Sequence, residues 1–166
     1  CGLWRYLIGD TVKFSQANPY KFCITGRPKH FINAFGEELI VDNAEKGLLQ
    51  ACVATGAQVK DYTAAPIFMD SNAKCRHQWV IEFAKAPSSI EEFATILDRS
   101  LQAINSDYEA KRHKYITLQR LEIIEAKSGL FDEWLKSKGK LGGQHKIPRL
   151  SNSRQYIEEL IAMNNE

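Results

Sequence analysis

The segment from Ser89 to Ile104 constrains the fold more than any other part of the sequence. Ser89 stands three residues before Glu92, which is the spacing of a capping box and predicts a helix that begins there. Apolar residues then recur on one face of this helix, at Ile90, Phe93, Ala94, Leu97, Leu101 and Ile104. Such a face must be covered by a second layer, so the chain has to supply a surface against which the helix packs.

Two predicted strands immediately upstream provide that surface. Residues 59–66 and 77–84 are rich in β-branched and aromatic residues, which is typical of strands. A polar loop containing Asp70, Ser71 and Asn72 separates them. We therefore expect an antiparallel pair, with the helix packed across it.

A second helix is predicted from Asp42. Asp42 and Glu45 have capping-box spacing, and the helical pattern ends at Gly56, a residue typical of helix C-termini. The predicted buried stripe consists of Leu48, Leu49, Cys52 and Val53. Cys52 is interpreted as a core residue, since the sequence offers no partnering base that would activate its thiol.

The other patterns complete an α+β fold. Residues 3–14 and 20–25 predict a small β layer at the start of the chain. Further along, the sequence predicts a polar helix at 107–115, a strand at 118–124, a helix at 129–138 and a closing amphipathic helix around Tyr156, Ile157, Leu160 and Ile161. The expected architecture is a small β layer leading into an α/β layer domain, in which an antiparallel strand pair is covered by helices.

Composition excludes several classes of protein. The chain has 22 Lys and Arg against 20 Asp and Glu, and the net charge of +2 is too small to indicate a nucleic-acid partner. No run approaches the roughly 18 apolar residues of a membrane span, so we expect a cytoplasmic protein without a membrane partner. The four cysteines form no C-x-x-C pair and have no histidine at ligand spacing, so they are interpreted as reduced thiols and no metal is assigned.

One charge asymmetry is local. The segment from Trp134 to Ile157 has no acidic residue, but it has six basic ones, Lys136, Lys138, Lys140, Lys146, Arg149 and Arg154. Glycines at 139, 142 and 143 loosen the backbone there, so a lysine of this loop is able to swing over a phosphate or carboxylate. The alternative is a solvated basic loop. A phosphate-binding loop of the form G-x-x-x-x-G-K-[ST] does not occur in the sequence.

Two further residues are candidates for nucleotide binding. Asp10 follows Gly9 at the end of an apolar strand, where a carboxylate can accept hydrogen bonds from a ribose diol, although an aspartate in a turn also stabilises the turn itself. Arg27 lies in the turn formed by Gly26 and Pro28 and can contact the same ligand, or it is a surface residue.

Several motifs in order resemble one family. RYLIGD at 5–10, GRPKHFINAFGEEL at 26–39 and QHKIPR at 144–149, together with NSDYEAKR at 105–112, resemble the C-terminal part of adenylate-forming enzymes. The branch they match best is the auxin-responsive promoter family of acyl-acid amido synthetases, and the resemblance extends over essentially the whole chain.

The resemblance implies a role for four residues. Asp10 occupies the position of the ribose-binding aspartate, and Arg27 that of a nucleotide-contacting arginine. Lys29 matches the hinge about which the small C-terminal domain rotates. Lys146 matches the catalytic lysine that reaches the reacting carboxylate and the α-phosphate.

Two departures accompany the match. Ile8 stands where the wider superfamily usually has a hydroxyl residue, so that side chain makes no hydrogen bond. His145 and Pro148 flank the lysine motif in place of the superfamily's usual glycine-lysine form, which agrees better with the amido-synthetase branch.

The family also implies an organisation and a reaction. Residues 1–28 correspond to the end of an N-terminal adenylation domain, and 29–166 to a mobile C-terminal domain that carries the catalytic lysine loop. The implied enzyme is an ATP-dependent ligase that uses Mg²⁺ to adenylate a carboxylic acid and transfers the acyl group to an amine, typically an amino acid. The chain begins with Cys1 rather than Met, which suggests a fragment, and the isolated chain is expected to be inactive. The alternative function is a stand-alone module that binds an anion or nucleic acid through the basic 134–157 segment.

Overall fold

The structure is a computed structural model that describes residues 11–26, 31–68, 75–113, 118–139 and 147–166. In chain order the elements are β1 (Thr11–Ala17), β2 (Tyr20–Gly26), β3 (Phe31–Ile32), β4 (Leu39–Ile40), α1 (Val41–Thr55), β5 (Gln58–Ile67), β6 (Arg76–Lys85), α2 (Ile90–Ile104), α3 (Ser106–Arg112), β7 (Glu122–Glu125), α4 (Leu130–Ser137) and α5 (Gln155–Asn165). The predicted α+β class is confirmed.

The central sheet has the order β5-β6-β7. β5 and β6 are antiparallel, with Thr63 opposite Val80, which confirms the predicted strand pair. β7 is parallel to β6, with Ile124 opposite Val80, and α2 and α3 form the long connection that a parallel pair requires. The strand predicted at 118–124 is observed only as β7, because the Leu118 carbonyl and the Leu121 backbone N–H are bonded to the side chains of Arg112 and Asp98 rather than to a strand.

Alternation along the strands divides the core between two faces of this sheet. Ala64, Trp79 and Ile81 belong to a cluster shared with α1, α2 and α3. Ala65 and Val80, on the opposite face, pack with residues of α4 and α5. The sheet is therefore covered by helices on both sides.

Helix α2 forms as its sequence predicts. The Ser89 hydroxyl oxygen accepts a hydrogen bond from the Glu92 backbone N–H at 3.2 Å, which satisfies one of the free donors of the first turn. Leu97 and Leu101 are fully buried, and the ring of Phe93 meets that of Phe83 on β6 edge to face, with centroids 5.3 Å apart. The predicted packing of this helix across the strand pair is confirmed.

The start of helix α1 differs from the prediction. The helix begins at Val41, and the Asn43 side chain reaches back to accept the Ile40 backbone N–H at 3.3 Å. Asp42 instead pairs with Lys46 at 2.6 Å on the exposed surface, so the predicted capping box of Asp42 and Glu45 is wrong. The predicted end is correct, because Gly56 has the left-handed backbone (φ 68°) that terminates many helices.

The buried face of α1 is also different. Leu49 and Val53, predicted to be buried, are 64% and 78% exposed. The face that meets α2 consists of Ala44, Gly47, Leu48 and Ala51. Most residues of this face are small because α2 lies close to α1. A prediction based on large apolar side chains therefore selects the wrong face.

Gly47 marks the closest approach of α1 and α2, which gives a first prediction. A Cβ atom at Gly47 would lie 3.0 Å from Leu101 Cδ2 and 3.1 Å from Leu97 Cδ1. We expect Gly47→Val to lower the free energy of unfolding by about 1–3 kcal/mol through overpacking, measured by urea denaturation. Gln50→Val, at an exposed position of the same helix, is the matched control. Equal unfolding midpoints for the two variants would contradict a tight crossing.

Strands β1 and β2 form an antiparallel hairpin with an apolar face. Val12 stands opposite Ile24, and Phe14 opposite Phe22, so these side chains share a face that also includes Tyr20. All five are between 45% and 78% exposed. The predicted β layer is confirmed for this hairpin.

Two expectations about the start of the chain are not tested by the structure. The extended piece predicted at 3–8 lies outside the described residues, as does the predicted domain boundary between residues 28 and 29. Division into the domains 1–28 and 29–166 therefore remains a prediction.

Candidate active-site segment

The four residues implied by the resemblance, Asp10, Arg27, Lys29 and Lys146, all lie outside the described residues. The structure does describe the chain on both sides of residues 140–146, the segment that contains Lys146. What it establishes is how the two ends of this segment are held.

The upstream end is held by helix α5. The indole N–H of Trp134 donates to Glu159 Oε2 at 2.7 Å, and Lys138 Nζ pairs with the same oxygen at 3.0 Å. The hydrogen bonds from Lys138 and then Trp134 lower the pKa of the Glu159 carboxyl, so it remains ionised. Gly139, with a φ of 65°, then turns the chain away from α4.

The downstream end is attached to the free edge of β5. Ile147, the residue after Lys146, is buried in the core shared with α4 and α5. The Thr63 hydroxyl donates to the Pro148 carbonyl at 2.7 Å, and the Ala64 backbone N–H donates to the Arg149 carbonyl at 2.9 Å. The Ala64 carbonyl accepts the Ser151 backbone N–H at 3.0 Å, so residues 149–151 run parallel to β5, with Leu150 opposite Ala64.

The Arg149 side chain reinforces this attachment. Its guanidinium lies over the Tyr62 ring, 4.7 Å from the centroid, and donates to the Asp61 carboxylate. Asp61 also accepts the Tyr62 backbone N–H at 2.9 Å, while the Tyr62 hydroxyl donates to Glu45 on α1 at 2.9 Å. Burial, and then the charge of Glu45, raise the pKa of Tyr62 well above its usual value, so the hydroxyl keeps its proton.

Sequence reasoning included Arg149 in the basic segment and in the QHKIPR motif, but it missed the partners Asp61 and Tyr62. The available signal was Asp61 itself, an acidic residue within an apolar strand. A separation of 88 residues between Asp61 and Arg149 hides the pairing from any local pattern.

A buried pair fixes the turn between β3 and β4. His77 Nε2 and Glu37 Oε1 are 2.8 Å apart, and both side chains are fully buried. Glu37 Oε2 accepts the Phe35 backbone N–H at 2.7 Å, which closes the turn around Gly36, whose φ is 82°. Burial alone raises the pKa of the Glu37 carboxyl, but the hydrogen bond and charge of His77 outweigh it and hold the pKa below its usual value.

Comparison with known proteins identifies the family. Residues 41–155 match the GH3 family C-terminal domain, and this range is most of the chain. The chain belongs to the GH3 family. The motif resemblance to acyl-acid amido synthetases is thereby confirmed at the level of the family, while the residue roles it implies remain predictions.

Solved structures share the fold of this GH3 chain. A structure of "GH3.15 acyl acid amido synthetase" matches 98% of the chain with a TM-score of 0.75 and 24% identity. A second, of "AtGH3.15 acyl acid amido synthetase in complex with 2,4-DB", matches 97% with a TM-score of 0.72 and 23% identity. The chain spans about a third of each, 32% and 30%. No curated protein matches the chain.

Three of the six basic residues at 134–157 form ion pairs with acidic residues. Lys138 pairs with Glu159, Arg149 with Asp61 and Arg154 with Glu158. The acidic partners belong to β5 and α5. The 134–157 segment, from Trp134 to Ile157, has no acidic residue of its own, but acidic residues of these elements lie next to it in the fold. These pairs account for three of the six basic residues of the segment, Lys140 and Lys146 lie outside the described residues, and the alternative of a stand-alone anion-binding module stays a prediction.

Other features of the described residues do not form a second site. Two cavities of about 400 Å³ border α2. Arg120, which pairs with Glu91, lines both, and Arg112, which pairs with Asp98, lines one of them. Among the described residues, no group of three or more His, Cys, Asp or Glu is arranged to hold a metal ion. Within the same residues, no helix is long and apolar enough to cross a membrane.

Proposed function

We propose that this chain is the C-terminal part of a GH3 acyl-acid amido synthetase, which adenylates a carboxylic acid with ATP and transfers the acyl group to an amine, typically an amino acid. The observation that carries the proposal is the attachment of both ends of the 140–146 segment to the folded body. Ile147 is buried and the next residues are hydrogen-bonded to β5. Such a segment is suited to deliver Lys146 to an active site without disturbing the core.

Adenylation brings together two anions, the acid's carboxylate and the α-phosphate of ATP. In the proposed reaction the carboxylate oxygen attacks the α-phosphorus and pyrophosphate leaves. The Lys146 ammonium stabilises the charge that develops between them. Asp10 accepts hydrogen bonds from the ribose hydroxyls, and Arg27 contacts the nucleotide. Mg²⁺, held mainly by the remainder of the enzyme, supplies neutralisation of the leaving pyrophosphate.

Amide formation follows in a second step. We propose that rotation of the C-terminal domain about Lys29 withdraws Lys146 and admits the amine. The amine nitrogen attacks the acyl carbon, AMP leaves, and the amine gives up a proton. Moving Lys146 between the two steps lets one site serve two different reactions.

The β1–β2 hairpin supports a larger assembly. Its five exposed apolar side chains, Val12, Phe14, Tyr20, Phe22 and Ile24, form a patch of a kind that is usually covered by protein. We propose that an N-terminal adenylation domain of the same protein covers it and that residues 1–28 belong to the end of that domain. The isolated chain is then inactive, and the complete enzyme acts in the cytoplasm.

Pyrophosphate release by the full-length enzyme tests the proposal. With ATP, Mg²⁺ and a panel of carboxylic acids, we expect Lys146→Ala to lower the rate by about a hundredfold or more, the scale of removing one transition-state charge donor. Lys136→Ala is the matched control, because Lys136 is an exposed lysine of the same basic run. An unchanged rate for Lys146→Ala in an active enzyme would refute the assignment.

A further inference from the structure

We propose that Arg149 is a positioning residue for the adenylation step and that it acts on Lys146 through Asp61 and Tyr62. The inference rests on the proposed function, because it takes Lys146 as the residue to be positioned. Arg149 stands three residues after Lys146, and the buried Ile147 lies between them in the sequence.

Backbone pairing alone does not specify where the segment sits along β5. The hydrogen bonds at Ala64 join peptide groups, and the same bonds form in any register that places a carbonyl and an N–H opposite the strand. Side chains do specify the register, and Arg149 contributes to it together with the buried Ile147 and the Thr63 hydroxyl, since only one placement brings the guanidinium onto Asp61 and over the Tyr62 ring.

The receiving groups are themselves held in place. The Asp61 carboxylate accepts the Tyr62 backbone N–H, and the Tyr62 hydroxyl is bonded to Glu45 on α1. Arg149 Nη1 also donates to the Tyr62 carbonyl at 3.3 Å. Arg149 thus connects the end of the lysine segment to both the sheet and the first helix.

The pairing also explains why Arg149 acts indirectly. Its side chain is only 25% exposed, and its charge is matched by Asp61. The guanidinium is therefore bound to groups of the domain itself and is not the group that contacts substrate. Since a displacement of about 1 Å in a reacting group costs up to about a hundredfold in rate, losing this contact is expected to slow adenylation measurably.

The experiment compares the two half-reactions of the full-length enzyme in Arg149→Met, Asp61→Asn and the double variant. Arg149→Met keeps an apolar stem over Tyr62 but loses the donors. We expect each single variant to lower kcat for pyrophosphate release by about tenfold, with the KM for ATP changed less than about twofold. Amide formation from a supplied acyl adenylate, a step proposed to proceed with Lys146 withdrawn, should stay within about twofold of wild type.

Two further results are expected if the pair acts as a unit. The double variant should be no slower than the slower single variant, and Arg149→Lys should recover part of the adenylation rate. Arg120→Met is the matched control, because Arg120 pairs with a different carboxylate, that of Glu91, and its replacement should leave both half-reactions unchanged. Equal losses in both half-reactions, additive losses in the double variant, or unchanged adenylation would each overturn the positioning role.

Lys146→Ala, assayed in parallel, separates the two proposals. If it leaves adenylation unchanged, the proposed function of Lys146 fails and the positioning role fails with it. If it slows adenylation while Arg149→Met does not, only the positioning role fails.

Discussion

Replacing Asp98 with alanine is expected to lower the free energy of unfolding of the chain by about 3–5 kcal/mol, because it leaves the buried guanidinium of Arg112 without its counter-ion. Asp98 lies on the core side of α2, and both side chains are almost completely buried. Arg112 Nε and Nη2 donate to the carboxylate at 2.9 and 2.7 Å. The pair ties α2 to α3 inside the core.

Two more side chains donate to Asp98. The Tyr108 hydroxyl and the Gln102 side-chain amide each donate to it at 2.8 Å. Burial, and then the charge of Asp98, raise the pKa of Tyr108 well above its usual value, so the hydroxyl remains a donor. Removing the carboxylate therefore deprives two buried groups, the Arg112 guanidinium and the Tyr108 hydroxyl, and the half-buried Gln102 amide of an acceptor, which places the expected loss in the upper part of the range for single substitutions.

Urea denaturation of Asp98→Ala at neutral pH measures this loss. Asp42→Ala is the control, because its ion pair with Lys46 is exposed and should contribute less than about 1 kcal/mol. Asp98→Leu combined with Arg112→Met removes both charges and should be less destabilised than Asp98→Ala. Similar losses for the Asp42 and Asp98 variants would show that the buried network contributes no more to the free energy of unfolding than an exposed ion pair does.

His77→Leu is expected to destabilise the chain by a comparable amount, about 3–5 kcal/mol at neutral pH. It leaves the Glu37 carboxylate buried, with the Phe35 backbone N–H as its remaining hydrogen-bond donor among the contacts described above. His113→Leu, at an exposed position, is the control and should have a small effect. A small loss for His77→Leu as well would contradict an ionised Glu37.

The same pair predicts a dependence on pH. Because the folded-state pKa of Glu37 is lowered from 4.5, the unfolded chain binds the proton more readily. The stabilisation by Glu37 is therefore complete above about pH 4.5 and is lost as the pH falls through the lower, folded-state value. Glu37→Gln removes this dependence, so the stability difference between wild type and Glu37→Gln should narrow below about pH 4.5 in denaturation curves recorded from pH 7 downward. A constant difference would contradict the lowered pKa.

Sequence patterns correctly predicted the elements that depend on contacts within one helix or between adjacent strands. The Ser89 cap and the apolar stripe of α2 lie within one helix, and the β5–β6 pair consists of adjacent strands. Helix α1 shows where this reasoning stops. Asn43 caps the helix in preference to Asp42, and Gly47 rather than Leu49 faces α2, since the neighbouring helix decides which side is buried.

The polar groups that hold the domain together were beyond local patterns. Glu37 and His77 are 40 residues apart, and Arg149 and Asp61 are 88 apart. Their pairing depends on the completed fold, so composition and periodicity do not show it. The roles of Asp10, Arg27, Lys29 and Lys146 come from resemblance to a family, and they stay predictions because these residues lie outside the described ranges.

The segment between Gly139 and Ile147 begins and ends on the same folded body, because Glu159 holds one side and β5 holds the other. The entropy cost of closing such a loop grows only with the logarithm of its length, by about 0.6 kcal/mol for each doubling. We therefore expect a change in the number of residues between these two points to add only a small closure-entropy term to the free energy of unfolding. The contacts that stabilise the domain and the residue proposed for chemistry, Lys146, therefore belong to different stretches of the chain.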